Sequence, residues 1–297
     1  MNLYSFRDSN IRKTWIIFSL FLIVIIGLGW FFSYAYQDRA ILYFAVIFSV
    51  LVNFLAYWKS DKIALTISRA RKADPQHFVE IYRIVENLSI TAGTPAPQIY
   101  IIEDVSPNAF ATGRNPKNSS IALTTGLIEQ LNRSEIEGVV SHELSHIKNY
   151  DILLSTVVVV LVGIIALLSD FFVRFSWMGR GRGSDRGKNP VIMIIGIASI
   201  ILAPIIGTLI QLAISRKREF LADASGVLLT RYPEGLASAL EKISVAPAMR
   251  KPHNATAHLF IASPFKADSG QKKIPWMVRL FSTHPPIEER IKILREM

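Results

Sequence analysis

The chain contains no cysteine. Disulfides, thiolate nucleophiles and thiolate metal ligands are therefore excluded, and a transition metal would have to be held by histidine and carboxylate. Charge is scarce as well. Only 19% of the 297 residues are charged, and three long runs, 14–36, 40–58 and 190–214, contain no Asp, Glu, Lys or Arg. A fourth, 152–173, holds one, Asp170. So few ionisable groups inside the apolar runs argue against a transporter. Sequence signatures of a nucleic-acid module are missing too. The excess of 33 basic over 23 acidic residues then needs another explanation. Arg12, Lys13, Lys59, Lys62, Arg216, Lys217 and Arg218 flank the apolar runs, where lipid headgroups attract them.

What is present in abundance is apolar sequence, 51% of the chain, with a mean hydropathy of +0.33. Runs of about 20 apolar residues match a bilayer core. The run at 14–36 exceeds the apolar region of a signal peptide, about 7–15 residues, and only Gln37, Asp38 and Arg39 separate it from the next. Residues 1–58 therefore predict a transmembrane hairpin (14–36, 40–58). Arg7, Arg12 and Lys13 precede it and Lys59, Lys62, Arg69, Arg71 and Lys72 follow it, so the N-terminus and the chain beyond residue 58 are expected to face the cytoplasm. Residues 59–151 read as the first part of a soluble domain, 152–214 as a second membrane hairpin (152–173, 190–214), and 215–297 as the second part of the domain. The linker 174–189 carries Arg174, Arg180, Arg182, Arg186 and Lys188. Those charges favour the cytoplasm, whereas a spanning hairpin puts them outside. Full crossing and incomplete insertion both stay open.

Within the soluble parts, Pro75 is expected to open a helix with Phe78, Ile81, Tyr82, Val85 and Leu88 at helical spacing, ended by Gly93, Pro95 and Pro97. Residues 98–102 and 120–124 read as strands, and 108–113 as a further extended segment. Ser134 and Glu137 form a capping-box pattern before the next helix. Helices are expected at 233–245 and 287–296. The fold class is an α+β membrane protein: two helical hairpins and a mainly helical domain with a small β-sheet.

The helix after that cap carries His142-Glu143-Leu144-Ser145-His146 and is expected to run straight into the third apolar run. Histidines four apart lie about 40° apart around a helix, so both imidazoles leave one face. That suits two ligands of one tetrahedral zinc, with Glu143 placed to take a proton from water. Two protein ligands are too few, because a catalytic zinc usually has three. Glu219 and Asp223, also four apart, supply a candidate ligand and a carboxylate to support a ligand imidazole. The bland alternative is a membrane-exit helix of mixed charge, since Arg216, Lys217 and Arg218 adjoin. Both His146 and Glu219 lie about 8–9 Å from an apolar run if helical, so a hairpin would bring them to equal height. The non-enzyme alternative is an inactive membrane scaffold, but neither histidine, Glu143 nor Glu219 is missing. An intramembrane protease is disfavoured because 134–151 is polar.

These motifs resemble the HtpX family of membrane-bound zinc metalloproteases, relatives of the CAAX prenyl proteases. Besides His142–His146 and Glu219 to Asp223, the likeness includes Pro107-Asn108-Ala109-Phe110-Ala111, Thr125-Gly126-Leu127, Ala257-His258-Leu259-Phe260 and Ser282-Thr283-His284-Pro285-Pro286. It implies a gluzincin-like domain binding one Zn2+ per chain through His142, His146 and Glu219, with Glu143 as general base and Asp223 behind the ligands. It also implies endoproteolysis of damaged membrane proteins in the bacterial plasma membrane, as stress-linked quality control. His284 resembles a position suspected of stabilising the oxyanion, a loop histidine being the alternative, and His258 has weaker support. Asn108, Ala109, Phe110 and Ala111 are expected to offer substrate an edge strand, ordinary sheet pairing being the alternative. The expected partners are polypeptides and the lipid bilayer, not nucleic acid. A CAAX-type processing enzyme with a narrow substrate is the nearest rival.

Overall fold

The structure is a computed structural model and describes residues 3–178, 215–250, 252–253, 255–264 and 285–297. The chain opens with α1 (Leu3–Tyr36) and α2 (Arg39–Ile67), an antiparallel pair. Gln37 takes the left-handed conformation (φ 55°), and the Asp38 carboxylate caps α2 by accepting from the Ala40 N–H at 2.9 Å. Trp15, Ile23 and Phe44 on these helices are more than 60% exposed, which suits a lipid-facing surface. Trp15 stacks on Tyr57 toward one end and Trp30 on Tyr34 toward the other, where amphipathic rings favour the two interfaces. α2 continues nine residues past the apolar run ending at Trp58, so the helix reaches deeper into the soluble part than the boundary at 59 anticipates.

A four-stranded sheet follows, with β1 (Arg71–Lys72), β2 (Gln98–Ile102), β3 (Ala109–Asn115) and β4 (Asn118–Thr124) in the order β1-β2-β4-β3. β2 and β4 are parallel, with Gln98 opposite Ser120, and the other two pairings are antiparallel. Strand side chains alternate faces, and here both faces are covered. Ile99, Ile101, Ala111, Ile121 and Leu123 join one core with Val139, Val140 and Leu144 of α5 (Arg133–Lys148). Phe110, Ala122 and Ile102 join another with Ala64, Leu65 and Phe260.

Two helix starts differ from expectation. α3 (Val79–Ala92) begins after Pro75, because residues 75–77 form a turn. The Asp74 carboxylate accepts from the Gln76 N–H and the Asp74 carbonyl from the His77 N–H, both at 3.1 Å, a local closure that competes with helix. Its other end is as anticipated, with Gly93 left-handed at φ 67°. The capping box of α5 is Asn132 with Glu135, not Ser134 with Glu137. Glu135 is buried and also held by the Lys242 ammonium at 2.7 Å, whereas Glu137 pairs with Arg133 one turn away. Burial thus favours the earlier register.

The helix carrying both histidines does not run straight on. After the short α4 (Thr125–Gln130) and α5, the chain bends by 83° into α6 (Asp151–Met178). Tyr150 sits at the break with φ 60°. The first half of α6 is buried: Leu154, Val157, Val158 and Leu161 pack on Ile17, Phe18, Phe21, Val52 and Ala56 of α1 and α2. Among the described residues, two helices are long and apolar enough to cross a membrane, or three if α5 and α6 form one broken span. The fourth apolar run, 190–214, and most of the linker before it lie outside the described residues.

The chain returns as α7 (Arg216–Thr230), α8 (Pro233–Val245), a 3-10 turn at Ala257–Leu259 and α9 (Ile287–Arg295). α5 lies between α7 and α8 at close range. A Cβ on Gly138 would stand 2.6 Å from the Leu236 nitrogen, and one on Gly226 would stand 3.1 Å from the His142 nitrogen.

Candidate active site

α5 and α7 bring His142, Glu143, His146 and Glu219 to one cavity, with Ala111 of β3 and His258 of the 3-10 turn on its walls. The two Nε2 atoms are 3.1 Å apart. Glu219 Oε2 is 3.7 Å from His142 Nε2, and Oε1 is 3.7 Å from His146 Nε2. The juxtaposition anticipated from equal height above the membrane is therefore present.

Each imidazole has a carboxylate behind it. His142 Nδ1 lies 2.8 Å from Asp223 Oδ1, and His146 Nδ1 lies 3.0 Å from Asp151 Oδ2. With both Nδ1–H groups donated outward, the Nε2 lone pairs face each other, and a cation, proton or metal, must lie between them. Bonds of about 2.0–2.1 Å in a tetrahedron place donors about 3.4 Å apart, and the observed 3.1 and 3.7 Å bracket that spacing. Two imidazoles and a carboxylate, with the imidazoles oriented by further carboxylates, fit a hydrolytic metal ion.

The electrostatics follow from burial. Desolvation pushes the Glu143 carboxyl above the usual range, although both histidines and the Ala111 N–H favour its charged form. Burial would lower His146, but Asp151, Glu219 and Glu143 outweigh it and raise the imidazole to about 9 without a metal. Burial would likewise raise Asp223, yet the Arg290 guanidinium and the His142 N–H bring it down to about 2. Arg290 is wholly buried. It donates to both Asp223 oxygens at 2.9 and 2.7 Å and to the Ile261 carbonyl at 3.2 Å.

The four residues of the expected substrate strand part company. β3 is an edge strand, as anticipated, but the chain covers part of that edge itself. Asn108 uses its amide with the backbone of Ala262, the Ala109 carbonyl accepts from the Ile261 N–H, and Phe110 is buried edge-on against Phe260. Unpaired edge groups need partners, and the segment around 260 supplies them. Only Ala111 reaches the cavity. His258 also lines it, with Nε2 3.2 Å from the Ser155 carbonyl. His284 lies outside the described residues.

Asp151 and Arg290 were not singled out from the sequence. Arg290 had a visible signal, since it shares a helical face with Ile287, Ile291 and Leu294. A cation on an apolar face needs a buried partner.

A His-Glu-Leu-Ser-His helix and a glutamate from a second helix, set beside apolar membrane-length helices, are the features of a membrane metallopeptidase. Residues 75–297 match peptidase family M48, and the chain belongs to that family. It is 46% identical over 301 residues to a Protease HtpX homolog of Caldanaerobacter subterraneus, covering 99% of this chain and 98% of the relative. Homologs of the same description from Thermococcus sibiricus and Streptococcus gordonii are 43% and 40% identical, covering 95% and 97% of this chain and 96% and 98% of theirs. The crystal structure of S. mikatae Ste24p shares the fold, with a TM-score of 0.51 at 21% identity over 95% of this chain and 66% of that one.

Proposed function

We propose that this metallopeptidase is a zinc endopeptidase that cleaves damaged or misfolded membrane proteins at the cytoplasmic face of the bacterial plasma membrane, as part of a stress response. The observation that carries the reading is the triangle of His142, His146 and Glu219 with buried Glu143 on the same cavity wall. His142, His146 and Glu219 are the proposed ligands of one zinc, which when bound supplies Lewis acidity and a water of lowered pKa. Asp223 and Asp151 hold the two imidazoles so that Nε2 faces inward. Glu143 takes a proton from the attacking water and hands it to the leaving amine. Its burial suits this work, because desolvation raises the carboxyl and makes it a stronger base than an exposed glutamate. His284 is proposed to stabilise the oxyanion.

Ala111 is the β3 residue that lines the cavity, with its N–H turned to Glu143. An extended peptide alongside it would be recognised through its backbone, with little demand on sequence. That suits varied, unfolded substrates. Full crossing of the membrane by the 152–214 segment is not required, because the feet of α6 and α7 already meet.

Casein cleavage and zinc content, measured on the same detergent-purified samples, test the reading. Wild type should cleave and hold about one zinc. Glu143→Gln should keep the zinc and lose cleavage by at least about a hundredfold. Glu219→Ala should lose the zinc. Substantial proteolysis by Glu143→Gln would remove the general base, and full zinc in Glu219→Ala would remove the third ligand. Zinc without cleavage in wild type would point to a narrow processing enzyme or a scaffold.

A further inference from the structure

Asn10 lies on α1, in the stretch before the apolar run, and is 2% exposed. A buried amide must place two donors and an acceptor, and Asn10 places all of them around the metal cluster. Its Nδ2 donates to Asp151 Oδ1 at 2.6 Å and to the Asn149 carbonyl at 3.0 Å. Its Oδ1 accepts from the Arg218 guanidinium at 3.3 Å, and that guanidinium lies 3.6 Å from Asp151 Oδ1. The other oxygen of Asp151 is the one that meets His146 Nδ1. Arg218 directly precedes Glu219. One turn before Asn10, the Arg7 guanidinium sits 4.9 Å over the ring of Tyr150, the left-handed residue at the bend.

We propose that Asn10 is a positioning residue for the metal site, by which the membrane anchor α1, together with the Arg218 guanidinium it holds, sets the Asp151 carboxylate against His146. The inference rests on the metal reading of His142, His146 and Glu219. The bend between α5 and α6 makes the device necessary. On a straight helix Asp151 would stand about 140° around the axis from His146 and face away. The bend turns Asp151 back, and its carboxylate then needs holding in the new place. Asn10 offers a short hydrogen bond to a charged acceptor, the strong kind. Arg218 supplies the countercharge that a buried carboxylate needs. The soluble domain thus does not complete its own site, since one fixing group comes from the membrane helix.

The test uses the full-length protein in detergent, loaded with zinc and challenged with a chelator. Zinc loss is followed for wild type, Asn10→Leu, Asp151→Asn, the double variant and Thr14→Val. Leucine keeps the size and helical preference of position 10 and removes the amide. Thr14 is the buried neighbour one turn along the same face, where its hydroxyl donates to the Asn10 carbonyl at 2.9 Å. It reports on helix packing alone. Asp151→Asn should weaken zinc affinity about 10- to 100-fold, and Asn10→Leu should speed zinc loss about tenfold. The double variant should be no worse than Asp151→Asn, because both changes act through one carboxylate. Thr14→Val should stay within about twofold of wild type. The inference is overturned if Asn10→Leu matches wild type, if the two single effects multiply, or if Thr14→Val loses zinc as fast as Asn10→Leu. Wild type that holds no zinc would overturn the metal reading itself, a different and separately visible result.

Discussion

At His142 and His146 the same chemical need, a carboxylate behind a ligand imidazole, is met in two electrostatic settings. Asp151 is held by an amide and a guanidinium 3.6 Å away. Asp223 is locked to Arg290 by two parallel hydrogen bonds, with both side chains at 2% exposure or less. Removing one partner of such a pair strands a buried charge, which costs about 3–5 kcal/mol. Arg290→Met should therefore destabilise the protein by about that amount in thermal unfolding. Arg290→Met with Asp223→Asn should be more stable than Arg290→Met alone, because the stranded charge is gone. The double variant unfolding below Arg290→Met would show that the Asp223 carboxylate is not stranded and is held through His142 instead. Arg290→Lys should rescue little, since one ammonium cannot meet both carboxylate oxygens and the Ile261 carbonyl.

The histidine helix is held by close contact with its neighbours. In an exposed helix, Gly→Ala adds about 1 kcal/mol of stability. At Gly138 the new methyl would meet backbone of α8, at 2.6 and 2.8 Å from Leu236 N and Cα, and backbone gives way poorly. Gly138→Ala should instead destabilise by about 1–3 kcal/mol and push α5 off α8, measured as a lower unfolding temperature. An unchanged or higher temperature would show that the two helices are free to part. The legibility of the sequence divides along the same line of local against remote. α8 (Pro233–Val245) and β2 (Gln98–Ile102) have the anticipated bounds because periodicity and punctuation are local signals. Pairing of His142 with His146 was readable from helix geometry, and the approach of Glu219 from the apolar runs between them. The bend at Tyr150 was not, since nothing nearby demands a left-handed residue there, and with it went Asp151. The covering of Ala109 by Ile261 and the burial of Arg290 against Asp223 depend on segments far apart in the chain, which no window of sequence compares.

At the scale of the whole molecule, the arrangement of α1, α2 and the domain ties topology to function. Asn10 and the site lie in one hydrogen-bonded network, so the foot of α1 and the protease domain must share a side of the membrane. The tip between α1 and α2 must then lie across it if the pair spans. Basic residues at both feet and a nearly neutral tip are the reason for proposing the cytoplasm as the shared side. The missing cysteines make this directly testable, because a single introduced thiol is the only one in the chain. Arg39→Cys puts it at the tip and Glu86→Cys on an exposed position of α3. A membrane-impermeant maleimide applied to intact spheroplasts should label Arg39→Cys at once and Glu86→Cys only after the membrane is opened. The opposite pattern would turn the protease domain outward and remove cytoplasmic quality control as its role. Labelling of both in intact spheroplasts would mean that the pair does not span, and the anchor would have to be sought in α6 and the apolar run beyond it.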